Sequence, residues 1–155
     1  MKKVEIYTDG ACTGNPGKGG FGAVLIYNGV EKRISRGFRK TTNNRMELMA
    51  AIESLKLLKE ECSVELYSDS KYLTDAINKK WIDSWQKNGW KKFDKKPVLN
   101  VDLWQELLSL MEKHSITFIW VKGHNGNVYN EICDSLAVDA YNNEAVNVDE
   151  YYENL

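Results

Sequence analysis

Val4-Glu5-Ile6-Tyr7-Thr8-Asp9-Gly10 decides the fold class. Val4, Ile6 and Thr8 alternate with polar or charged neighbours, the period of a half-buried strand, and the run stops at Thr8-Asp9-Gly10. A glycine-rich stretch follows, Gly14 to Gly22, and two more strands are predicted at Phe21 to Tyr27 and Val30 to Phe38. Asn28-Gly29 between these last two is a two-residue hairpin signal. The first third of the chain therefore reads as an antiparallel meander.

Beyond the meander the period changes. Thr41-Thr42-Asn43-Asn44 opens a helix, with Asn44 and Glu47 at capping-box spacing. Met46, Met49, Ala50, Ile52, Leu55 and Leu58 then recur with helical period. Val64 to Tyr67 predicts a short strand ending at Ser68-Asp69-Ser70, which can cap a helix from about Lys71 to Asn78. A short helix follows at Trp81 to Lys87, then a loop at Gly89 to Pro97. A longer helix runs from Asn100 to Lys113, with Val101, Trp104, Leu107, Leu108 and Met111 facing inward. A strand at Ile116 to Val121 and a helix from about Asn127 to Tyr141 close the pattern. The order β-β-β-α-β-α-α-α-β-α predicts an α/β sheet covered by helices. Ligands of such sheets sit beyond the carboxyl ends of strands, where this reading puts Asp9 and Asp69.

The chain has 155 residues, 43% hydrophobic and 28% charged, the composition of one ordinary globular domain. No apolar run suits a signal peptide or a membrane span, so a cytoplasmic protein is expected. Cys12, Cys62 and Cys133 are odd in number and widely spaced, which argues for free thiols over a disulfide framework or a zinc site. The charge is unevenly distributed. Between Asn78 and Lys96 stand seven lysines (79, 80, 87, 91, 92, 95 and 96) against Asp83 and Asp94, a local net charge of +5. The whole chain is −1, so the remainder carries −6. Part of that lies in 143–155, which holds Glu144, Asp149, Glu150 and Glu153 and no base. The basic segment is expected to bind a polyanion; the acidic one is expected to be a flexible tail behind a domain spanning 1–142.

Four acids and a histidine are candidates for chemistry, and each has a structural explanation of its own. Asp9 before Gly10 could shape a turn, Glu47 could complete a capping box, Asp69 could cap a helix, Asp134 could be a solvated helix residue, and His124 could sit idle in a loop. Pattern alone does not bring them together.

Several segments taken in order do. They are Tyr7-Thr8-Asp9-Gly10-Ala11-Cys12, Gly14-Asn15-Pro16-Gly17, Thr41-Thr42-Asn43-Asn44-Arg45-Met46-Glu47-Leu48-Met49-Ala50-Ala51, Ser68-Asp69-Ser70, Trp120-Val121-Lys122-Gly123-His124 and Asn130-Glu131-Ile132-Cys133-Asp134. Together, from Val4 to about Tyr141, they resemble bacterial ribonuclease H of type 1. The resemblance implies the ribonuclease H fold, a five-stranded mixed sheet of order 3-2-1-4-5 with a basic helical handle. It implies endonucleolytic hydrolysis of the RNA strand of RNA–DNA hybrids, with Asp9, Glu47, Asp69 and Asp134 as metal-binding carboxylates and His124 beside them. Tyr72, Trp81 and Trp85 would line a channel for the DNA strand, and Lys40, Thr42 and Asn100 would hold a DNA phosphate.

The chemistry accounts for these residue types. Hard oxygen ligands suit Mg²⁺, with Mn²⁺ as a substitute, and two such ions serve the attacking and leaving oxygens of a phosphodiester. Four carboxylates without metal would repel a polyanion. His124, in a glycine-flanked loop, could take a proton from the nucleophilic water or help product leave. A hybrid requires one strand with 2′-hydroxyls and one without; Asn15, Asn43 and Asn44 offer amides to minor-groove edges. The family usually has an amide side chain where this sequence has Lys71, which cannot accept a hydrogen bond. Trp81, Trp85 and Trp90, interleaved with Lys87, Lys91 and Lys92, fit a nucleic-acid handle. The expected protein is a monomer. The rival readings are a DNA-cutting nuclease of the same fold (resolvase- or integrase-like), an inactive hybrid-binding module, and a structural protein whose acids only cap and turn.

Overall fold

The computed structural model describes residues 1–123 and 126–155. The meander is present and longer than the alternation suggested: β1 (Lys2–Cys12), β2 (Gly17–Tyr27) and β3 (Val30–Thr41). Asn28 and Gly29 both have positive φ, 49° and 76°, the geometry of a type I′ hairpin turn. After α1 (Asn43–Lys56) come β4 (Cys62–Ser68), α2 (Lys71–Asn78), α3 (Trp81–Lys87), α4 (Val101–Met111), β5 (Ser115–Trp120), α5 (Val128–Asn143) and the short α6 (Glu150–Glu153). The five strands form one sheet of order β3-β2-β1-β4-β5, the first three antiparallel, β4 and β5 parallel to β1.

Alternation along β1 sorts its neighbours onto two faces. Val4 and Ile6 join Leu48, Ile52, Leu55, Leu66, Leu73, Trp104 and Leu107 in the main core beneath α1, α2 and α4. On the other face Tyr7 stacks on Tyr67 (4.6 Å) and on Tyr129 of α5 (5.0 Å). The helix α5 lies almost on the sheet backbone: a Cβ at Gly22 would come 2.5 Å from the Leu136 Cβ and 2.6 Å from the Cys133 carbonyl. Small residues in β2 thus let the helix carrying Asp134 approach.

The strands end unevenly. Pairing of β1 with β4 stops at Thr8 and Ser68, while pairing with β2 continues to Cys12 and Gly19. Asp9 is therefore not at the end of its strand, as alternation suggested, but at the point where β4 leaves it. The edge of β1 beyond Thr8 forms a notch that can be reached from both faces of the sheet.

Two expectations are corrected. The first concerns the capping box: Thr42 caps α1, its hydroxyl accepting from the Arg45 N–H at 3.2 Å, and Glu47 turns away to accept from the Gly10 N–H. The second concerns the acidic tail, which is docked. Asn147 exchanges backbone hydrogen bonds with Gly37 and Arg39 on the free edge of β3, and Asp149 is buried against Arg45 and Thr41. Val146, Val148, Tyr151 and Tyr152 are the signal in the sequence that a solvated acidic tail would lack. Cys12, Cys62 and Cys133 are free thiols, and His114 accepts a hydrogen bond from the Cys62 N–H at 3.1 Å, a structural duty.

Candidate active site

Three carboxylates converge in the notch. Asp9 comes from β1, Glu47 from the first turns of α1 on one face, and Asp69 from the β4–α2 junction; one oxygen of each lies within 4.8 Å of the others. Asp134, on α5 over the opposite face, lines the same cleft of about 410 Å³, together with Gly10, Asn43, Asn44, Ser70, Lys71 and Tyr72. A continuous sheet would keep groups from its two faces apart. The early end of β4 lets them meet.

Local structure fixes each acid. The Gly10 N–H lies at the unpaired edge of β1 and donates to both Asp9 (2.9 Å) and Glu47. Ser70 caps α2 through the Leu73 N–H, so Asp69, one residue earlier, is free of capping duty. The Trp120 indole donates to the Asp69 carbonyl at 3.1 Å, and Gly123 lies so close that a Cβ there would come 2.9 Å from Asp69 Oδ2. His124 lies outside the described residues.

The electrostatics are those of an unsatisfied anionic cluster. Burial, then the nearby Asp69 charge, raises the Asp9 carboxyl to about 8. Burial, then the charges of Asp9 and Asp69, raises Glu47 well above the ordinary carboxylate range. Two acids pushed together and out of water hold a proton that neither keeps in solution. Among the described residues no lysine or arginine forms an ion pair with Asp9, Glu47, Asp69 or Asp134. Lys71, at the rim, rests its ammonium 4.9 Å from the centre of the Trp120 ring instead. A divalent cation is the counter-charge such a cluster lacks.

The remaining predicted residues form a surface leading away from the acids. Asn43 and Asn44 are exposed at the rim, and Asn15 Oδ1 accepts from the Asn43 N–H at 3.1 Å, tying the glycine-rich loop to α1. Thr42 and exposed Lys40 lie just before. Tyr72 and Asn100 are half-buried and hydrogen-bonded to each other at 3.1 Å. Farther out, α3 and the loop after it present Lys87, Lys91 and Lys92 to solvent, while Ile82, Trp85, Trp90 and Val98 pack inward. Trp85 meets Trp104 edge-on at 5.7 Å. Trp81 is 42% exposed, because it opens α3 and Ile82 takes the core position.

The RNase H family model matches residues 1–142. The chain belongs to the RNase H family. It is 57% identical over 153 residues to the ribonuclease H of Rippkaea orientalis, covering 99% of this chain and 94% of that one. It is 62% identical over 136 residues to that of Caldanaerobacter subterraneus subsp. tengcongensis, covering 88% and 89%. Among solved structures it resembles LC9-RNase H1, described as a type 1 RNase H with the type 2 active-site motif: 31% identity, TM-score 0.82, 93% of this chain and 74% of that one. LC11-RNase H1, solved with an RNA/DNA hybrid, shares the fold at 23% identity and a TM-score of 0.67, covering 90% and 96%. As an RNase H, the chain is a hydrolase of the nuclease class. No described helix is long and apolar enough to cross a membrane.

The sequence did not expose the buried Arg45 with its partners Asp102 and Asp149, nor the contacts that require Gly10 and Gly123 to lack side chains. An arginine on the core stripe of a helix was the available signal for the first. Nothing local signals the second.

Proposed function

We propose that the chain is an endonuclease that hydrolyses the RNA strand of RNA–DNA hybrids, leaving 5′-phosphate and 3′-hydroxyl ends, with two Mg²⁺ ions held by Asp9, Glu47, Asp69 and Asp134. The observation that carries this reading is the cluster itself: carboxylate oxygens of Asp9, Glu47 and Asp69 within 4.8 Å, in a cleft that Asp134 also lines. Acceptor-only hard oxygens in that number suit Mg²⁺, or Mn²⁺ in its place. When bound, divalent cations supply an activated water and neutralise charge developing on the phosphate. Asp9 and Glu47 release their retained proton on loading, and the Gly10 N–H holds both carboxylates in place. His124 takes a proton from the attacking water, an accelerating role.

Recognition divides between two sides of the cleft. Asn15, Asn43 and Asn44 face the strand with 2′-hydroxyls. Tyr72, Trp81 and Trp85 line the DNA strand, Lys40, Thr42 and Asn100 hold one of its phosphates, and Lys87, Trp90, Lys91 and Lys92 extend the contact along the handle. Lys71 occupies a minor-groove position as a donor only. The catalytic domain spans 1–142, with the docked 143–155 segment packed against it, and the chain acts as a monomer in the cytoplasm. The deciding experiment is digestion of an end-labelled hybrid, a DNA duplex and an RNA duplex, with and without Mg²⁺. Only the hybrid should be cut, only in its RNA strand, and only with metal; cleavage of the DNA duplex would favour the resolvase-like alternative.

A further inference from the structure

Arg45 is buried with 1% of its surface exposed, and all five of its N–H groups are used. Nε and Nη2 fork onto Asp149 (2.6 and 3.0 Å), Nη2 and Nη1 fork onto Asp102 (2.7 and 2.8 Å), and Nη1 donates its second hydrogen to Asn100 Oδ1 at 3.3 Å. Two forks on adjacent sides fix the plane of the guanidinium; a single fork would let it pivot. The fifth donor is therefore aimed at Asn100 by the other four.

The polarity of the next steps follows from the donor inventory. Arginine only donates, so the Asn100 side chain must present its oxygen to Arg45 and its NH₂ to the Tyr72 hydroxyl, 3.1 Å away. The Trp104 indole also only donates, and it too points at the Tyr72 oxygen, at 3.1 Å. Both lone pairs of that oxygen are occupied, so Tyr72 can act toward anything else only as a donor. Among the described residues neither the Tyr72 O–H nor the second Nδ2 hydrogen of Asn100 has an acceptor. Tyr72 lines the cleft of the acids, and both residues are partly exposed. The outcome is a pair of donors set for an acceptor-only group, the chemistry of a phosphodiester oxygen.

We propose that Asp149, at the far end of the chain, is a positioning residue for the DNA strand: through Arg45 it sets Asn100 and Tyr72 as a donor pair for a backbone phosphate. The inference rests on the reading of Tyr72 and Asn100 as DNA-strand contacts and extends it to the C-terminal segment. That segment is held in register for the task. Asn147 bonds to the edge of β3, Thr41 donates to Asp149 at 2.8 Å, Glu153 pairs with Arg39, and the Tyr151 ring lies 5.3 Å from the Arg45 guanidinium.

The test is steady-state cleavage of a hybrid at saturating Mg²⁺, well below the unfolding midpoint of each variant. Asp149→Asn keeps shape but replaces one acceptor oxygen by an NH₂. It should raise KM about tenfold, the scale of one well-placed hydrogen bond, with kcat within about twofold. A double-mutant cycle supplies the reading that a purely structural role would not move: Asn100→Ala should itself raise KM, and adding Asp149→Asn should raise it little further. Full additivity, or a lowered midpoint with unchanged KM, overturns the proposal. If Asp149→Asn fails to fold, Asp102→Asn loosens the same guanidinium from α4 and must raise KM likewise. If Asn100→Ala and Tyr72→Phe both leave KM unchanged, the DNA-strand reading itself fails and the relay with it. If they raise KM while Asp149→Asn and Asp102→Asn do not, the relay alone is wrong.

Discussion

Gly10→Ala should separate the geometry of the carboxylates from the mere presence of their residues. A Cβ at Gly10 would lie 2.5 Å from the Glu47 nitrogen, 2.7 Å from the Met46 carbonyl carbon and 2.9 Å from Glu47 Oε1. Ordinary contact begins at 3.4 Å, so a gap close to 1 Å must open. Two of the three neighbours are backbone of α1, a helix held by buried Arg45, Met46, Leu48, Ala50, Ala51 and Ile52, and neither can swing aside as a side chain could. The start of α1 must lift from β1, carrying Glu47 away from Asp9 and Asp69. Overpacking of this kind costs about 1–3 kcal/mol. At about 2–4 °C per kcal/mol for a domain of this size, the midpoint should fall by about 2–12 °C. A displacement of about 1 Å at a reacting centre costs roughly 10²-fold in rate, so kcat should fall about a hundredfold, and by more than KM rises. The assay is kcat and KM on a labelled hybrid at saturating Mg²⁺, alongside thermal unfolding by circular dichroism. A variant with kcat within threefold of the parent and an unshifted midpoint would refute the argument, since Glu47 would then need no exact seat.

Three further outcomes follow from the same site. Asp69→Asn should abolish cleavage while hybrid binding, read by fluorescence anisotropy, survives or tightens as one negative charge is lost; near-parental cleavage would remove Asp69 from the reaction. Asp9 binds its proton more tightly folded than unfolded, about 8 against an ordinary 3.8, and Glu47 shifts in the same direction. A raised folded value stabilises fully below the unfolded value and is lost as pH climbs through the folded one. The midpoint of the metal-free protein should therefore fall between about pH 4 and pH 8, and Mg²⁺ binding should tighten over that range with proton release detectable by calorimetry in two buffers; pH-independent Mg²⁺ affinity would contradict the raised values. Replacing exposed Lys87, Lys91, Lys92 and Lys95 with glutamate should raise KM at low salt, lower the salt slope of binding by about 0.9 per lost phosphate contact, and leave the midpoint nearly unchanged. Unchanged KM with collapsed stability would make the segment structural only.

Local physics made much of the molecule legible from sequence. Alternation in β1, the Asn28-Gly29 turn, the helical period after Thr42 and the cap at Ser70 depend on neighbours in the chain, and a short window contains them. The seven lysines between Asn78 and Lys96 announced a charged surface because charge, unlike packing, needs no partner to be read. The candidate acids were named from motif segments taken in order, since Asp9, Glu47, Asp69 and Asp134 are individually indistinguishable from turn, cap and surface residues. What only the tertiary structure decided is where long-range contacts compete with local preference. Glu47 stood at capping-box spacing yet turned to the Gly10 N–H, because β4 ends at Ser68 and leaves that donor unpaired. Asp149 lay in a stretch whose composition favoured solvent, yet the buried guanidinium of Arg45, more than a hundred residues earlier, drew it into the interior alongside Asp102. A buried charge must find its counter-charge wherever the fold brings one, and no local window of the sequence contains both.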